Sequence, residues 1–279
     1  MTYRECYESG RESLKAAGVP EAALDAELLL EYVCGTDRNT LLAHGDREVV
    51  SEDRMRYEEL IGRRALRIPL QYLTGRQDFM GLEFAVNEHV LIPRQDTEIL
   101  VEEVMRHLHD GMRILDMCTG SGCILISLLR YSNDCQGVGA DISPEALAVA
   151  DANARRLIGP ENIRFLRSDL FREVEGKFEI IVSNPPYIGS GVIPTLMPEV
   201  REHEPLSALD GGADGLDFYR RIAGEAPEYL AGGGMLFVEI GCDQGAQVQE
   251  LFARNGFAEV RCVRDYAGLD RVVCGTLGS

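Results

Sequence analysis

The chain has 279 residues, and its 46 acidic residues outnumber its 28 basic ones, for a net charge of −18 at pH 7. An apolar fraction of 45% excludes wholesale disorder, and no stretch approaches the ~20 apolar residues of a membrane span. Residues 1–72 hold 14 acids and 10 bases, and the remainder is more acidic still, so neither part indicates a nucleic-acid surface. The first residues lack an apolar signal region, and we therefore expect a cytoplasmic protein without a membrane partner.

The eight cysteines are spread over the whole chain, and none forms a CxxC pair. No histidine lies at the spacing that zinc ligands require. A disulfide framework is unusual in a chain of this length and compartment. We therefore expect reduced cysteines and no metal site.

Residues 1–72 have a helical pattern. The first predicted helix covers residues 5–17, and Pro20 is predicted to occupy the first position of the second, where its missing N–H is not needed. Ser51 is predicted to be the N-cap of a further helix that runs to about residue 67. These helices carry no catalytic constellation, so we interpret residues 1–72 as a small helical domain that recognises a substrate.

The period changes after residue 72. Residues 73–93 mix aromatic and β-branched residues with turn residues, which predicts a β-hairpin linker. From residue 94 to the end, helices alternate with short apolar strands, predicted at 113–117, 137–141, 163–166, 179–183, 235–240, 259–264 and 271–276. Helices are predicted at 97–109 and 123–131, and Ser143-Pro144 begins another.

This alternation predicts an α/β fold, a Rossmann-like doubly wound sheet of seven strands. The last two strands are joined by only six residues, and a parallel crossover needs a dozen or more. We therefore expect an antiparallel last strand, and we assign residues 94–279 to one domain.

The first candidate site follows the strand that ends near Asp116. The chain there turns through Cys118, Thr119, Gly120, Ser121 and Gly122 into a helix. Ligands in such folds bind at the carboxyl ends of strands. Asp141 ends the next strand, where an acid can accept hydrogen bonds from both ribose hydroxyls of an adenosine cofactor. Taken alone, the pattern is shared by nucleotide binders, by adenosyl-methionine binders and by ordinary tight turns.

Two details favour S-adenosyl-L-methionine over a dinucleotide. The loop lacks the G-x-G-x-x-G pattern of dinucleotide sites. Asp116 stands before the loop, where its charge could meet the cationic methionine end of the donor but would repel a pyrophosphate.

The second candidate site is the sequence Asn184-Pro185-Pro186-Tyr187, which follows an apolar strand. The two prolines predict a stiff, extended loop with few donors. It offers two acceptors, the side-chain amide of Asn184 and the carbonyl of Pro185, which suit an NH2 group, while Tyr187 offers an aromatic wall. Acceptors that grip the hydrogens of a planar nitrogen can aim its lone pair at a methyl group, so that the rate comes from alignment. The plain alternative is a proline-rich turn that ends a strand.

Several segments together resemble the HemK/PrmC methyltransferases. They are PRQDTE (93–98), LDMCTGSG (115–122), AD (140–141), SDLF (168–171), SNPPYI (183–188), EPLSALDGGADGLDFYR (204–220) and EIG (239–241). The resemblance implies methyl transfer from S-adenosyl-L-methionine to the side-chain nitrogen of the glutamine in the GGQ motif of peptide chain release factors. The product would be S-adenosyl-L-homocysteine, and a helical N-terminal domain also fits this family.

The resemblance also implies roles for individual residues. The methionine part of the donor would lie against Cys118, Thr119, Gly120, Ser121 and Gly122. Asp141 would hold its ribose, and its adenine would lie beside Asp169 and Leu170. Asn184, Pro185, Pro186 and Tyr187 would hold the glutamine amide, with Asn184 also next to the donor. The expected mechanism is an in-line displacement at the sulfonium methyl, after which the proton leaves to water.

Two positions depart from the family pattern. Cys118 replaces the usual glycine, so the backbone there must avoid positive φ or bear strain. Gln95 replaces the usual proline after Arg94, which loosens the approach to the next helix. Neither position lies in the Asn-Pro-Pro-Tyr segment.

Two other functions remain open from the residues. The Asn-Pro-Pro-Tyr segment also occurs in methyltransferases that act on the amino groups of DNA or RNA bases (the adenine N6 type), although the acidic charge argues against them. A module that binds the donor without catalysis is the second. We interpret His203 as a solvated loop residue. Cys118 and Cys123 have no neighbouring base in sequence that would make either of them a nucleophile.

Overall fold

The computed structural model describes residues 1–278 and divides the chain into two compact units. A helical unit contains Met1–Arg76 together with Met197–His203, and a sheet unit contains Gln77–Leu196 and the chain from Glu204 onward. The sequence-based boundary at residue 72 did not foresee that residues 197–203 join the helical unit.

Short helices and strands alternate along most of the chain. The helices are α1 (Tyr3–Ala16), α2 (Ala22–Cys34), α3 (Arg38–Ala43), α4 (Ser51–Ala65), α5 (Leu70–Thr74), α6 (Glu98–Met105), α7 (Cys123–Arg130), α8 (Pro144–Leu157), α9 (Pro198–His203), α10 (Asp217–Glu225) and α11 (Gly245–Arg254). The strands are β1 (Arg76–Phe79), β2 (Leu82–Ala85), β3 (Arg113–Met117), β4 (Gln136–Asp141), β5 (Ile163–Arg167), β6 (Phe178–Ser183), β7 (Leu230–Glu239), β8 (Phe257–Arg264) and β9 (Asp270–Leu277).

The helix starts in the helical unit differ from the predicted ones. Helix α1 begins two residues early because Thr2 and Glu5 form a reciprocal capping box. The prediction for Pro20 was wrong, since the N-cap of α2 is Glu21 and the proline precedes it. The N-cap prediction for Ser51 was also wrong: Ser51 is already helical, and Val50 occupies the cap position without a side-chain bond.

Helix α9 belongs to the helical unit because ionic hydrogen bonds tie it there. Arg67 binds Glu199 through both ends of its guanidinium group, with Nε–Oε1 and Nη2–Oε2 distances of 2.6 Å. Arg64 adds a bond from Nη2 to Oε1 of Glu199 at 2.9 Å and a second from Nε to Oδ2 of Asp25 at 2.7 Å. Two-point Arg–carboxylate pairs are among the strongest polar contacts in proteins, so they hold this distant segment of the chain.

The predicted doubly wound sheet is confirmed. Within residues 1–278 its seven strands lie in the order β5-β4-β3-β6-β7-β9-β8. Strands β3 to β7 pair in parallel, whereas β9 runs antiparallel to both of its neighbours. The antiparallel last strand is therefore confirmed as well.

The hairpin and the first residues of α6 and α8 can also be compared with the prediction. Strands β1 and β2 form a separate two-stranded sheet inside the predicted 73–93 segment. A short 3-10 turn, Gln95–Thr97, precedes α6, so the predicted helix at 97–109 is shorter than expected. Ser143 caps α8 as predicted, with its hydroxyl accepting from the N–H of Ala146 and Pro144 in the first turn.

Both faces of the large sheet are buried. Along β3 and β6 the side chains alternate, so that Ile114 and Ile180 pack under α6 and α7 while Leu115 and Ile181 pack under α10 and α11. No helix among the described residues is long and apolar enough to cross a membrane.

Candidate active site

The sheet reverses its winding at β3, between β4 on one side and β6 on the other. The carboxyl ends of these three strands open into a cavity of about 430 Å³. Its wall includes Gly120 after β3, Asp141 at the end of β4 and Asn184 after β6. The two sequence segments predicted to form sites therefore meet in one cavity, as expected at a topological switch point.

The loop after β3 is tied to the end of β4 through Asp141. The N–H of Gly120 donates to Oδ2 of Asp141 at 2.9 Å, and the N–H of Ser143 donates to Oδ1 at 3.0 Å. Burial raises the pKa of Asp141, although these backbone hydrogen bonds oppose the change. Each carboxylate oxygen keeps a further lone pair, so the group can still accept from two hydroxyls.

The backbone of Cys118, the first position that departs from the family pattern, could either avoid positive φ or bear strain. It lines the cavity with a positive φ of 59°, so the backbone takes the strained alternative. Burial raises the pKa of its thiol well above the ordinary value, and the same holds for Cys123. Neither thiol has the depressed pKa of a nucleophile.

Asp116 lies behind the loop rather than on the cavity wall. It is fully buried, and the Thr119 hydroxyl donates to its Oδ2 at 2.5 Å. Burial, reinforced by the charge of Asp141, raises the pKa of Asp116 to about 7 despite the Thr119 bond. Its Oδ1 is buried without a hydrogen-bond partner among the described residues. The structure thus places Asp116 where it fixes Thr119.

Three other residues of this loop differ in their placement. Thr119 and Ser121 line the cavity, whereas Gly122 does not. A Cβ at Gly122 would lie 2.9 Å from Cδ1 of Ile126 and 3.2 Å from Cβ of Ala150, and φ there is 79°. The glycine therefore lets α7 pack closely on α8.

Asp169 and Leu170 lie together on the cavity wall, after β5. Leu170 has a positive φ of 50°, and the hydroxyl of Ser168 donates to its carbonyl at 2.5 Å. Arg221 donates to Oδ1 of Asp169 at 2.9 Å. Strained backbone held by such local bonds is typical of ligand sites.

The Asn-Pro-Pro-Tyr segment is only partly exposed to the cavity. Asn184 and Pro186 line it, whereas Pro185 is buried and, like Tyr187, does not reach the wall. The Asn184 Nδ2 group donates to Oγ1 of Thr97 at 3.2 Å. Its Oδ1 accepts nothing from the described residues and is available to a ligand.

Glycines of the 210–215 loop pack directly under this segment. A Cβ at Gly211 would lie 2.7 Å from Cα of Tyr187, and a Cβ at Gly215 would lie 2.3 Å from its carbonyl oxygen. The same carbonyl accepts from Nε2 of Gln244 at 3.0 Å. Close backbone approach explains why the sequence DGGADG occurs here.

Two polar residues behind Asn184 were not singled out from the sequence. Thr97 is 2% exposed, and Glu239 ends β7 and is 1% exposed. The hydroxyl of Tyr187 donates to Oε1 of Glu239 at 3.4 Å. Ser183 pairs with Val238 across β6 and β7, so Glu239 is level with Asn184. The signal in the sequence that could have pointed to Glu239 was an acidic residue near the end of the predicted strand at 235–240.

His203 lies outside this site, and the loop interpretation was wrong. It is the last residue of α9, with Nε2 3.3 Å from the carbonyl of Leu66. In the part of the chain that the structure describes, no group of three or more His, Cys, Asp or Glu side chains could hold a metal ion.

The residues of the cavity fit S-adenosyl-L-methionine. Asp141 offers a half-buried carboxylate to a diol, and the apolar Leu170 stands beside the hydrogen-bonding Asp169. Gly120 has φ 55° and a Cβ there would meet only one atom, at 4.0 Å, so a ligand can approach its backbone. These features match an adenosine group followed by a polar chain.

Comparison with solved structures supports the fold. A methyltransferase from Pyrococcus furiosus superimposes with a TM-score of 0.57, covering 78% of this chain and 99% of that one at 17% identity. Two family models match in sequence: the PrmC N-terminal domain over residues 5–75 and the methyltransferase small domain over residues 94–197.

The sheet and its switch-point cavity define an α/β methyltransferase. The release factor glutamine methyltransferase of Geobacter sulfurreducens is 44% identical over 99% of this chain and 97% of its own length. That of Moorella thermoacetica is 43% identical over 97% of both chains. The chain belongs to the release factor glutamine methyltransferase family, which confirms the resemblance.

Proposed function

We propose that the protein methylates the side-chain amide nitrogen of the glutamine in the GGQ motif of peptide chain release factors. S-Adenosyl-L-methionine is the cofactor and supplies the methyl group when bound. The observation that carries the proposal is Asn184, which stands on the wall of the donor-type cavity with its Nδ2 engaged by Thr97 and its Oδ1 free. That oxygen suits an N–H donor such as a carboxamide.

Different residues of the cavity bind different parts of the donor and of the substrate. Asp141 accepts from the ribose, Asp169 and Leu170 border the adenine, and the loop from Cys118 to Gly122 supports the methionine part. Oδ1 of Asn184 holds one hydrogen of the substrate amide, and Pro185, Pro186 and Tyr187 shape the loop that presents it. In this mechanism the amide proton leaves to water, and the rate comes from alignment of the amide nitrogen with the methyl group.

The partner follows from the family and from charge. The substrate is a release factor in the cytoplasm, held by the helical unit. A net charge of −18 argues against direct binding of nucleic acid.

The test is mass spectrometry of a purified release factor after incubation with enzyme and donor. We expect a gain of one methyl group on the GGQ glutamine and none on the variant factor with GGA. DNA and RNA incubated in parallel with labelled donor should gain no label. Label on nucleic acid with none on the factor would refute the proposal.

Asn184→Ala removes the proposed acceptor of the substrate N–H. The loss of one preorganised hydrogen-bond partner costs about 2–4 kcal/mol of barrier, which corresponds to a ~10²–10³-fold lower kcat. The variant should bind S-adenosyl-L-homocysteine as the parent does, which calorimetry can check. Unchanged turnover of the factor would contradict the role of Asn184.

A further inference from the structure

Asn184 presents an amide whose two ends are similar in shape but opposite in hydrogen bonding. With its oxygen toward the cavity it accepts from the substrate; with its NH2 toward the cavity it repels the substrate hydrogens. The structure has Nδ2 on Oγ1 of Thr97 at 3.2 Å. Some group must prevent the opposite orientation.

The Thr97 hydroxyl can face Asn184 in two ways. It has one hydrogen to donate and lone pairs to accept. If its hydrogen were directed at Asn184, the amide oxygen would turn toward Thr97 and the NH2 toward the cavity. The orientation of Asn184 therefore depends on where the Thr97 hydrogen goes.

Glu239 determines the direction of the Thr97 hydroxyl hydrogen. The Thr97 side chain lies close enough to lower the pKa of this carboxyl group, and Oε2 of Glu239 is buried without a hydrogen-bond partner among the described residues, so it needs a donor. An ionised carboxylate is an acceptor only, so Thr97 must donate to it and keep its lone pair for Nδ2 of Asn184. Tyr187 also donates to Oε1 of Glu239 at 3.4 Å, which holds the carboxylate from the other side.

We propose that Glu239, acting through Thr97, is a positioning residue that sets which end of the Asn184 carboxamide faces the substrate. The inference rests on the proposed role of Asn184 in holding the substrate amide. Glu239 is buried and does not line the cavity, so it acts only through its neighbours.

The ionisation of Glu239 follows from its surroundings. Burial raises its pKa to about 7, outweighing the lowering effects of the neighbouring Thr97 side chain and of the charge of Arg271. The titratable groups that interact with this carboxyl come from several elements: Asp96, Cys123, Tyr187, Tyr219 and Arg271. Above about pH 7 the carboxylate orders the chain of hydrogen bonds, and below it the added proton lets Thr97 reverse.

The test compares Thr97→Val with Thr97→Ser. Valine keeps the shape and loses the hydroxyl, so kcat should fall about 10- to 100-fold, whereas serine should restore most of it. The KM for the release factor and the dissociation constant of S-adenosyl-L-homocysteine should stay within twofold. A parent-like kcat for Thr97→Val would overturn the inference.

Glu239→Gln supplies the second readout. The parent kcat should rise with pH through about 7, and this inflection should disappear in the variant because the amide does not ionise. In a double-mutant cycle, Glu239→Gln should have little further effect in the Thr97→Val background. An inflection that persists, or fully additive losses, would refute the coupling.

Asn184→Ala separates this inference from the function it rests on. If Asn184→Ala is inactive while Thr97→Val and Glu239→Gln behave as the parent, the positioning inference fails and the proposed function stands. If Asn184→Ala is itself fully active on the factor, the role of Asn184 fails and the positioning inference fails with it, whereas the function fails only if the parent adds no methyl group to the GGQ glutamine.

Discussion

At the scale of single residues, Cys118 shows how strain is placed at the donor loop. The residue takes a φ of 59°, which costs an L-amino acid about 1–2 kcal/mol, on the wall of the cavity. Its backbone is held because the next residue, Thr119, is fixed by Asp116 at 2.5 Å. The strain is therefore carried by the buried network around the loop.

Replacing Cys118 should reveal this cost. Cys118→Gly removes the penalty of positive φ, so it should be more stable than Cys118→Ala by about 1 kcal/mol, although glycine loses more backbone entropy on folding. Urea unfolding of the two variants measures the difference directly. Alanine equal to or better than glycine would show that the position is not strained.

At the scale of elements, helix α9 depends on one carboxylate. Burial alone would raise the pKa of Glu199, but the hydrogen bonds from Arg67 and Arg64 outweigh it and lower the pKa to about 2. For Asp25, the other partner of Arg64, burial prevails and the pKa is raised. Glu199, which is paired with both arginines, is therefore the carboxylate whose ionised form is more strongly stabilised.

Glu199→Gln should therefore destabilise the helical unit. Breaking a buried ion pair from one side costs about 3–5 kcal/mol, and a glutamine that still accepts one bond keeps the loss near the lower value. The contribution is present above the ordinary pKa of 4.5 and is lost as the pH falls toward about 2. Urea unfolding at pH 7 measures it, with the exposed neighbour Glu202→Gln as the matched control. Equal losses for the two variants would show that the pairing contributes nothing specific.

Elements also show how far the sequence alone reaches. The start of α8 is encoded by neighbouring residues, Ser143 and Pro144, and was predicted correctly. Ser51 carries a similar local signal, yet the chain there enters the helix one residue earlier, at Val50. Local chemistry predicts that a helix begins, but the path of the preceding chain decides at which residue.

In the site, too, local sequence predicts some features and the path of the chain decides others. The cavity-lining residues after β3, β4 and β6 could be predicted because strand ends in a parallel sheet converge. The acid of Glu239 at a strand end was visible in the sequence, but its proximity to Thr97 was not, because the two residues come together from segments more than 140 residues apart. Their partnership depends on the pairing of β6 with β7, which no local pattern reveals.

At the scale of the whole molecule, the chain combines an acidic composition with exposed apolar residues on the helical unit. Leu42, Val50 and Met55 are 68%, 63% and 60% exposed. Single exposed apolar residues are common on protein surfaces, so their exposure alone assigns them no role. The proposed recognition of the release factor by the helical unit predicts a role for some of them in binding the factor.

Replacing Leu42, Val50 and Met55 together by serine tests this role. The KM for a whole release factor should rise about fivefold or more, since a single interface anchor contributes about 1 kcal/mol or more. The KM for a short GGQ peptide should not change, because the cavity is untouched. Leu269→Ser, an exposed position of the sheet unit, serves as the control. Parallel changes for factor and peptide would contradict the proposal.

Because α9 returns to the helical unit from late in the chain, that unit is not a contiguous module. Cutting the chain near residue 76 would separate Glu199 from Arg64 and Arg67. The isolated catalytic fragment would then carry an acidic residue without the ion-pair partners that it has in the intact chain. Grafting the helical unit onto another methyltransferase would need three crossovers instead of one, after residue 76 and on either side of residues 197–203. Helix α9, with only six residues, therefore constrains the exchange of the two units between related proteins.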